Sequence, residues 1–488
     1  MESGGHCSPL PHPGLVTKGA KGLVALLLAL SPAAGASAQT AAEAAIIAEA
    51  GFTTDDLGYL VVELETGAVR RELRAGHAFI PASMVKLMTA YAALETLGPE
   101  HRFETPVLSE AGPDGLSLHF SGGGDPVLVQ EDLAALAWSL KQNVGATPVA
   151  RFTYDSDALP FIPAIDPSDD AANSYNPPVA ALSVNFNRQW LKWERQPETR
   201  AMLVQVLPDL GHAMPGVAAA RAADGRPVQV LSGRVTRLLI EPQVPSAGSR
   251  RVAVHAPALR TALMLRRYAE QSGLVLPLPE AAPKPASEVT PIASVASRPM
   301  IEIAEAMLEY SNNLSAELVG LAVAKKLGHA PGTLREGALA VRQWVGGPVP
   351  PLAAENMVWI NQSGLSGEGR LSPRALYALL RHTSGRTYGE RAFLDLLHEP
   401  RWSERDPKVL VRAKSGTMSY ARGQAGVLET KDGRRFLFVL MNTDFERRAA
   451  FENSPGRFSN PVRRAAGRWG WRARQLERSL IRHWTETL

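Results

Sequence analysis

The stretch FIPASMVKLMTAYAAL, residues 79–94, joins a proline-closed loop to an apolar helix. Leu87, Met88, Ala90, Tyr91, Ala93 and Leu94 would bury most of that helix, yet its first turn, starting near Ser83, carries Ser83 and Lys86. Residues three apart on a helix share a face, with Cβ atoms roughly 5–6 Å apart. The first turn also presents unpaired N–H groups and the positive end of the helix dipole. An ammonium held there and partly buried has its pKa lowered. A neutral lysine beside a serine is a base beside a nucleophile. A capping serine followed by a solvated lysine is the bland alternative, and Ser-x-x-Lys alone does not separate the two.

Two later segments do. YSNNLSAELV sets Ser311-Asn312-Asn313 between two helical runs, and VRAKSGTMSYARGQAGVL sets Lys414-Ser415-Gly416-Thr417 in an extended run before a hairpin. Ser-x-x-Lys, Ser-x-Asn and Lys-Thr/Ser-Gly in that order are the motif set of penicillin-binding proteins and β-lactamases.

With their flanks (PASMVKLMTAYAALETLG, SGGGDPVL, SYNPPVAALSVNFNR, QSGLSGEGRLSP), these motifs make the sequence resemble the class C low-molecular-mass penicillin-binding proteins. These are D-alanyl-D-alanine carboxypeptidases/endopeptidases of bacterial cell walls. The resemblance covers nearly all of the chain after its first 38 residues. It implies an α/β/α fold of the penicillin-binding transpeptidase type on an antiparallel sheet, with mainly β accessory domains inserted. It implies Ser83 as the acylated nucleophile, Lys86 as its base and Ser311 as proton carrier to the leaving amine. Asn313 would hold Lys86 and the substrate amide. Lys414, Ser415, Gly416 and Thr417 would form the carboxylate site, with backbone N–H groups of Ser83 and Thr417 as oxyanion hole. The partners implied are peptidoglycan stem peptides ending in D-Ala, and β-lactams as covalent inhibitors. Endopeptidase action on cross-links is left open. Asn312, Asn361 and Ser415 stand where the family more often has Asp, Asp and Thr.

Two other readings compete with this one. A β-lactamase needs a deacylation base, and no Glu-x-x-Leu-Asn segment follows Ser311. A non-catalytic scaffold of the same fold has no use for Ser83, Lys86, Ser311 and Lys414 together. Histidines are scattered without H-E-x-x-H, so no metal or cofactor is expected. SGGGDP lacks the Lys-Ser/Thr of a phosphate loop and is read as a turn that follows no buried strand. No G-x-S-x-G elbow occurs.

The rest of the chain sets the frame. Its 488 residues are 45% hydrophobic and 20% charged, with net charge +4, too little to argue nucleic-acid binding. Lys18 and Lys21 precede LVALLLAL, and a small-residue site ends at Ala38. That is the pattern of an export signal, hence a periplasmic protein. The lone Cys7 would leave with it. The expected organisation is 1–38 signal, 39–99 first catalytic part, 100–290 accessory and 291–488 second catalytic part. Near the end, Trp469, Ala473, Leu476, Leu480 and Trp484 form one apolar stripe on an arginine-rich helix. The stripe suits either packing on the sheet or peripheral contact with anionic lipid.

Overall fold

LGYLVVE (57–63) and RFLFVLMNT (435–443) are apolar almost without alternation, the pattern of strands covered on both faces, and the more polar ARGQAGVLE (421–429) runs beside them. In the computed structural model they form the middle of a five-stranded antiparallel sheet. Its order is Leu410–Met418, Ala421–Glu429, Arg435–Thr443, Leu57–Glu63, Val69–Leu73. The structure describes residues 40–488 except 196–201, 208–217, 221–228, 233–234, 240–245, 286–288, 290, 404–408, 455 and 458. The expected signal at 1–38 lies outside the described residues.

Side chains alternate across a strand, and the two faces sort accordingly. Leu437, Val439 and Met441 join Ala425 and Val427 in a core with Leu87, Met88 and Tyr91 of the helix Lys86–Thr96. Phe436, Phe438 and Leu440 face the other way, with Tyr59 and Val61. There they meet Ile47 of the helix Ala41–Glu49 and the stripe of the C-terminal helix Asn460–Thr487. Trp469, Ala473, Leu476, Leu480 and Trp484 are all at most 2% exposed. The apolar stripe is therefore buried against the sheet, whose second face it covers together with the first helix. Trp484 also donates its indole N–H to Glu43 at 2.7 Å, joining the first and last helices.

Between the helix Lys86–Thr96 and residue 300 lies a second five-stranded sheet, ordered Glu280–Ala281, Val149–Asp155, Gly115–Ser121, Glu104–Gly112, Pro291–Ala296. The helices Gln130–Val144 and Pro257–Gln271 pack with it around Val107, Phe120, Leu136, Leu140, Phe152 and Leu265. Two three-stranded sheets from 188–253 complete the region. Strand 291–296 pairs with 104–112, so this sheet runs past residue 290. SGGGDP is an irregular loop that begins on the last residue of a strand, and that strand's last four residues, Leu118–Ser121, are buried. The alternating polar residues His119 and Ser121 hid that burial; His119 is satisfied by Asp155 at 2.7 Å and Thr153 at 2.8 Å.

Candidate active site

The turn that carries Ser83 is tighter than an α-helix. Ala82–Val85 is a 3₁₀ turn and the α-helix begins at Lys86, three residues later than the sequence spacing suggests. A 3₁₀ turn has three residues per turn, so Ser83 and Lys86 eclipse even more closely than on an α-helix. Ala82 is held at φ 45°, a left-handed conformation that alanine enters only under constraint. The constraint is close approach. A Cβ on Gly416 would sit 2.4 Å from Pro81 O, and one on Gly364 would sit 1.9 Å from Ala82 O. Gly416 is thus needed for the strand to reach the nucleophile turn.

Lys86 is fully buried. Its Nζ lies 2.9 Å from Ser83 Oγ, 2.8 Å from Asn313 Oδ1 and 2.7 Å from Ser363 O. A neutral amine there donates to the Asn313 and Ser363 oxygens and keeps its lone pair for the Ser83 proton. Burial drives Lys86 well below its ordinary pKa, the Lys414 charge pushes the same way, and Glu317 opposes them.

The second motif is a helix-to-helix corner. The helix Met300–Tyr310 ends on Ser311 at φ 54°, and Asn312 caps the helix Asn313–Lys326 by accepting from Ser315 N at 3.1 Å. Asparagine caps as well as aspartate, which accounts for the departure at this position. Ser315 Oγ donates to Pro126 O at 2.8 Å, so the SGGGDP loop braces the corner. Asn313 Nδ2 donates to Tyr175 O at 2.9 Å, leaving Oδ1 for Lys86.

The third motif lies on the edge strand Leu410–Met418. Lys414 and Gly416 point inward, whereas Ser415 and Thr417 are exposed. Lys414 Nζ donates to Ser311 Oγ and Ser415 O, each at 2.9 Å, and burial lowers its pKa to about 7. Ser83, Ser311, Asn313 and Thr417 open on one cavity of about 710 Å³. Lys86 and Lys414 stand behind it, and Ser415 is outside its lining.

Three further residues escaped sequence reasoning. Glu317, fully buried, accepts from Gln362 N at 3.0 Å and Ser363 N at 2.8 Å, fixing the segment whose carbonyl holds Lys86. Burial raises its pKa against those hydrogen bonds and the Lys86 charge. It sits one helical turn after Asn313, an acid in an apolar run, and that was the available signal. Arg422, opposite Thr417 in the hairpin register, donates to Thr417 Oγ1 at 2.7 Å and to Glu477 Oε2 at 2.6 Å. Glu477 comes from the C-terminal helix and also accepts from Gln424 Nε2 at 3.0 Å. Asn361, where the family more often has Asp, accepts from Gly364 N at 2.9 Å.

Known proteins share this architecture. The fold is similar to penicillin-binding protein 4 of Haemophilus influenzae, with TM-score 0.69 and 19% identity over 88% of this chain and 96% of that one. A second structure of that protein, complexed with a β-lactam, gives TM-score 0.63 at 18% identity over 79% and 89%. In sequence the chain is 26% identical to a D-alanyl-D-alanine carboxypeptidase of Actinomadura sp. (strain R39), over 79% of this chain and 77% of the relative. It is 24% identical to the carboxypeptidase DacB of Mycolicibacterium smegmatis, over 81% and 78%. The family model of D-Ala-D-Ala carboxypeptidase 3 (S13) matches residues 39–455, most of the sequence and all three motifs, so the chain belongs to that family.

Proposed function

We propose that the protein is a serine-type D-alanyl-D-alanine carboxypeptidase that trims peptidoglycan peptides through an acyl-enzyme on Ser83. The observation that carries the reading is the buried Lys86 Nζ, 2.9 Å from Ser83 Oγ. Ser83 Oγ attacks the D-Ala carbonyl carbon as its proton passes to Lys86. The oxyanion is held by the backbone N–H groups of Ser83 and Thr417. The C–N bond then breaks, and the leaving amine takes a proton through the Ser311 hydroxyl, which Lys414 backs. Lys414⁺ and the Thr417 and Ser415 hydroxyls hold the substrate carboxylate. Asn313 orients Lys86 and the substrate amide. Water then hydrolyses the ester and restores Ser83.

A penicillin acylates the same serine by opening its ring amide, and its amine stays tethered. A β-lactamase reading lacks support, because Glu317, the buried carboxylate that acts on Lys86, is taken up by backbone N–H groups. In this reading residues 1–38 export the chain to the periplasm. Segments 39–99 and 291–488 form the catalytic domain, and 100–290 is an inserted accessory region. The pairing of 291–296 with 104–112 supports moving its second edge a few residues later.

The test is digestion of purified peptidoglycan with fragments identified by mass. Release of free D-Ala supports carboxypeptidase action, and loss of cross-linked dimers adds endopeptidase action. No change in the fragments, from protein that binds fluorescent penicillin, would overturn the peptidase assignment.

A further inference from the structure

A second cavity, of about 870 Å³, lies behind the corner that carries Ser311. Tyr310, Asn312 and Ser315 line it, whereas Ser311 and Asn313 line the cavity that opens on Ser83. One short segment is thus the wall between the two. The accessory region contributes through the strands Ala247–Ala253, Arg188–Arg195 and Met202–Leu207, which are neighbours in that order. Trp190 stands opposite Arg251 on one neighbour and Leu207 on the other, so the three form a row across one face. Arg188, two residues before Trp190, shares that face. All four line the cavity. Trp190 is 42% exposed, Leu207 38% and Tyr310 72%, so the row is open and not packed into a core.

The charges are unbalanced. Arg188, Arg251 and Arg298 line the cavity against one carboxylate, Glu131, which accepts from Gln130 Nε2 at 3.1 Å. Glu131 sits in the first turn of the helix Gln130–Val144, whose positive dipole end adds to the arginines. Asp125 feels the Arg298 charge but is bonded to Val127 N at 2.8 Å. Among the described residues, no acid pairs with any of the three arginines. Arg188 donates to Ser174 O at 2.6 Å, and Arg251 lies 4.7 Å from the Trp190 ring. Burial lowers the Arg188 pKa and the Arg251 charge lowers it further, so two guanidiniums repel with no acid between them. Gln189 lines the same cavity at 6% exposure, and its Oε1 has no hydrogen-bond partner among the described residues. Solvated arginines on a surface would explain the net charge, but not the half-buried Arg188, the unpaired Gln189 or the open indole between the strands.

We propose that this cavity is a second ligand site, separate from the catalytic cleft, for a carboxylate-bearing sugar-peptide fragment of the wall. Its volume falls within the roughly 300–1,000 Å³ of small-molecule sites, which combine an apolar lining with a few placed polar groups. The arginines hold carboxylates by charge-assisted hydrogen bonds. Trp190 offers an indole face to the flat side of a sugar ring. A ligand carboxylate between Arg188 and Arg251 would relieve their repulsion. The choice of a wall fragment rests on the peptidase reading above; the site itself does not. The site needs no D-Ala end, because the groups that hold that end stand on the other side of the Ser311 corner.

The test is calorimetric binding of N-acetylmuramyl-L-alanyl-D-glutamate, which carries a sugar and carboxylates but no D-Ala end. Its diamide and N-acetylglucosamine 1-phosphate serve as the neutral and the phosphate comparison. The acidic probe should bind the full-length protein, and equally well after benzylpenicillin has acylated Ser83, while the diamide binds far more weakly. Arg251→Gln with Arg298→Gln should weaken the acidic probe about tenfold or more, as expected for losing charge-assisted hydrogen bonds. Trp190→Ala should weaken the probe and its diamide alike. Melting temperature and benzylpenicillin acylation, measured on each variant, should stay at the wild-type values. No binding at millimolar probe, binding lost on acylation, or binding unchanged in both variants would overturn the site. Tighter binding of the sugar phosphate than of the acidic probe would overturn its assignment to a carboxylated fragment. Absence of a penicillin adduct would overturn the peptidase reading instead, and the two variants would still test the site.

Discussion

Replacing Glu477 with leucine would strike both stability and substrate recognition from a helix that holds none of the three motifs. The Glu477 side chain is 1% exposed and that of its partner Arg422 is 10%. Removing the carboxylate strands a buried guanidinium and deprives Gln424 of its acceptor. Breaking a buried pair from one side costs about 3–5 kcal/mol. Replacing both partners by apolar residues of similar size is far milder, so Arg422→Leu with Glu477→Leu should recover most of the loss, ending within about 1–2 kcal/mol of wild type.

Recognition should change as well. Arg422 donates to Thr417 Oγ1, which leaves the hydroxyl to act as a donor. With Glu477 gone the guanidinium loses the partner that holds it there, and the hydroxyl loses its fixed orientation. KM for substrates with a free carboxylate should rise by roughly fivefold, about 1 kcal/mol for one weakened hydrogen bond. The assay is a double-mutant cycle in denaturant, with kcat and KM measured on each variant. Single variants that each lose under about 1 kcal/mol, and add in the double, would refute the claim of a buried, coupled pair.

Other outcomes follow from the same geometry. Ser83→Ala should abolish the single benzylpenicillin adduct, located by mass on the peptide containing Ser83; an adduct that survives would place the nucleophile elsewhere. Lys86→Arg keeps the charge but removes the base, and acylation should fall by about three orders of magnitude, in the range of general-base loss. Glu317→Gln removes the negative charge that favours protonated Lys86. Lys86 then sheds its proton at lower pH, and the acid limb of kcat/KM should move down the pH scale; a lower rate with an unmoved limb would mean that Glu317 acts only on the backbone it holds. Deleting residues 466–488 removes Trp469, Leu476, Leu480 and Trp484 from one face of the sheet, which amounts to roughly 6–12 kcal/mol of apolar burial. The truncated chain should show no cooperative melt.

Much of the fold was legible because its signals are local. The Ser83–Lys86 spacing, the hairpin at Lys431-Asp432-Gly433 and the apolar stripe of the last helix each need only a few neighbouring residues to read. Gly433 adopts φ 83° at that hairpin. The stripe illustrates the limit. Its spacing established that it would be buried, but lipid and sheet are both apolar, and only the folded chain shows the sheet taking it. The 3₁₀ geometry before Lys86 escaped for a related reason. It goes with the close approach of Gly364 and Gly416 to Pro81 and Ala82, from segments hundreds of residues away.

The residue types of the reaction, their order along the chain and the family were set by the sequence alone, because a nucleophile and its base three residues apart are made neighbours by any helical turn. The folded chain decided who stands behind them. Lys86 meets Asn313 and Ser363 across 227 and 277 residues, and Lys414 meets Ser311 across 103. Glu317, Arg422 and Glu477 carry no motif, since a buried ion or carboxylate is defined by what surrounds it. Those surroundings come from sheet register and helix packing, which depend on contacts summed over the whole core.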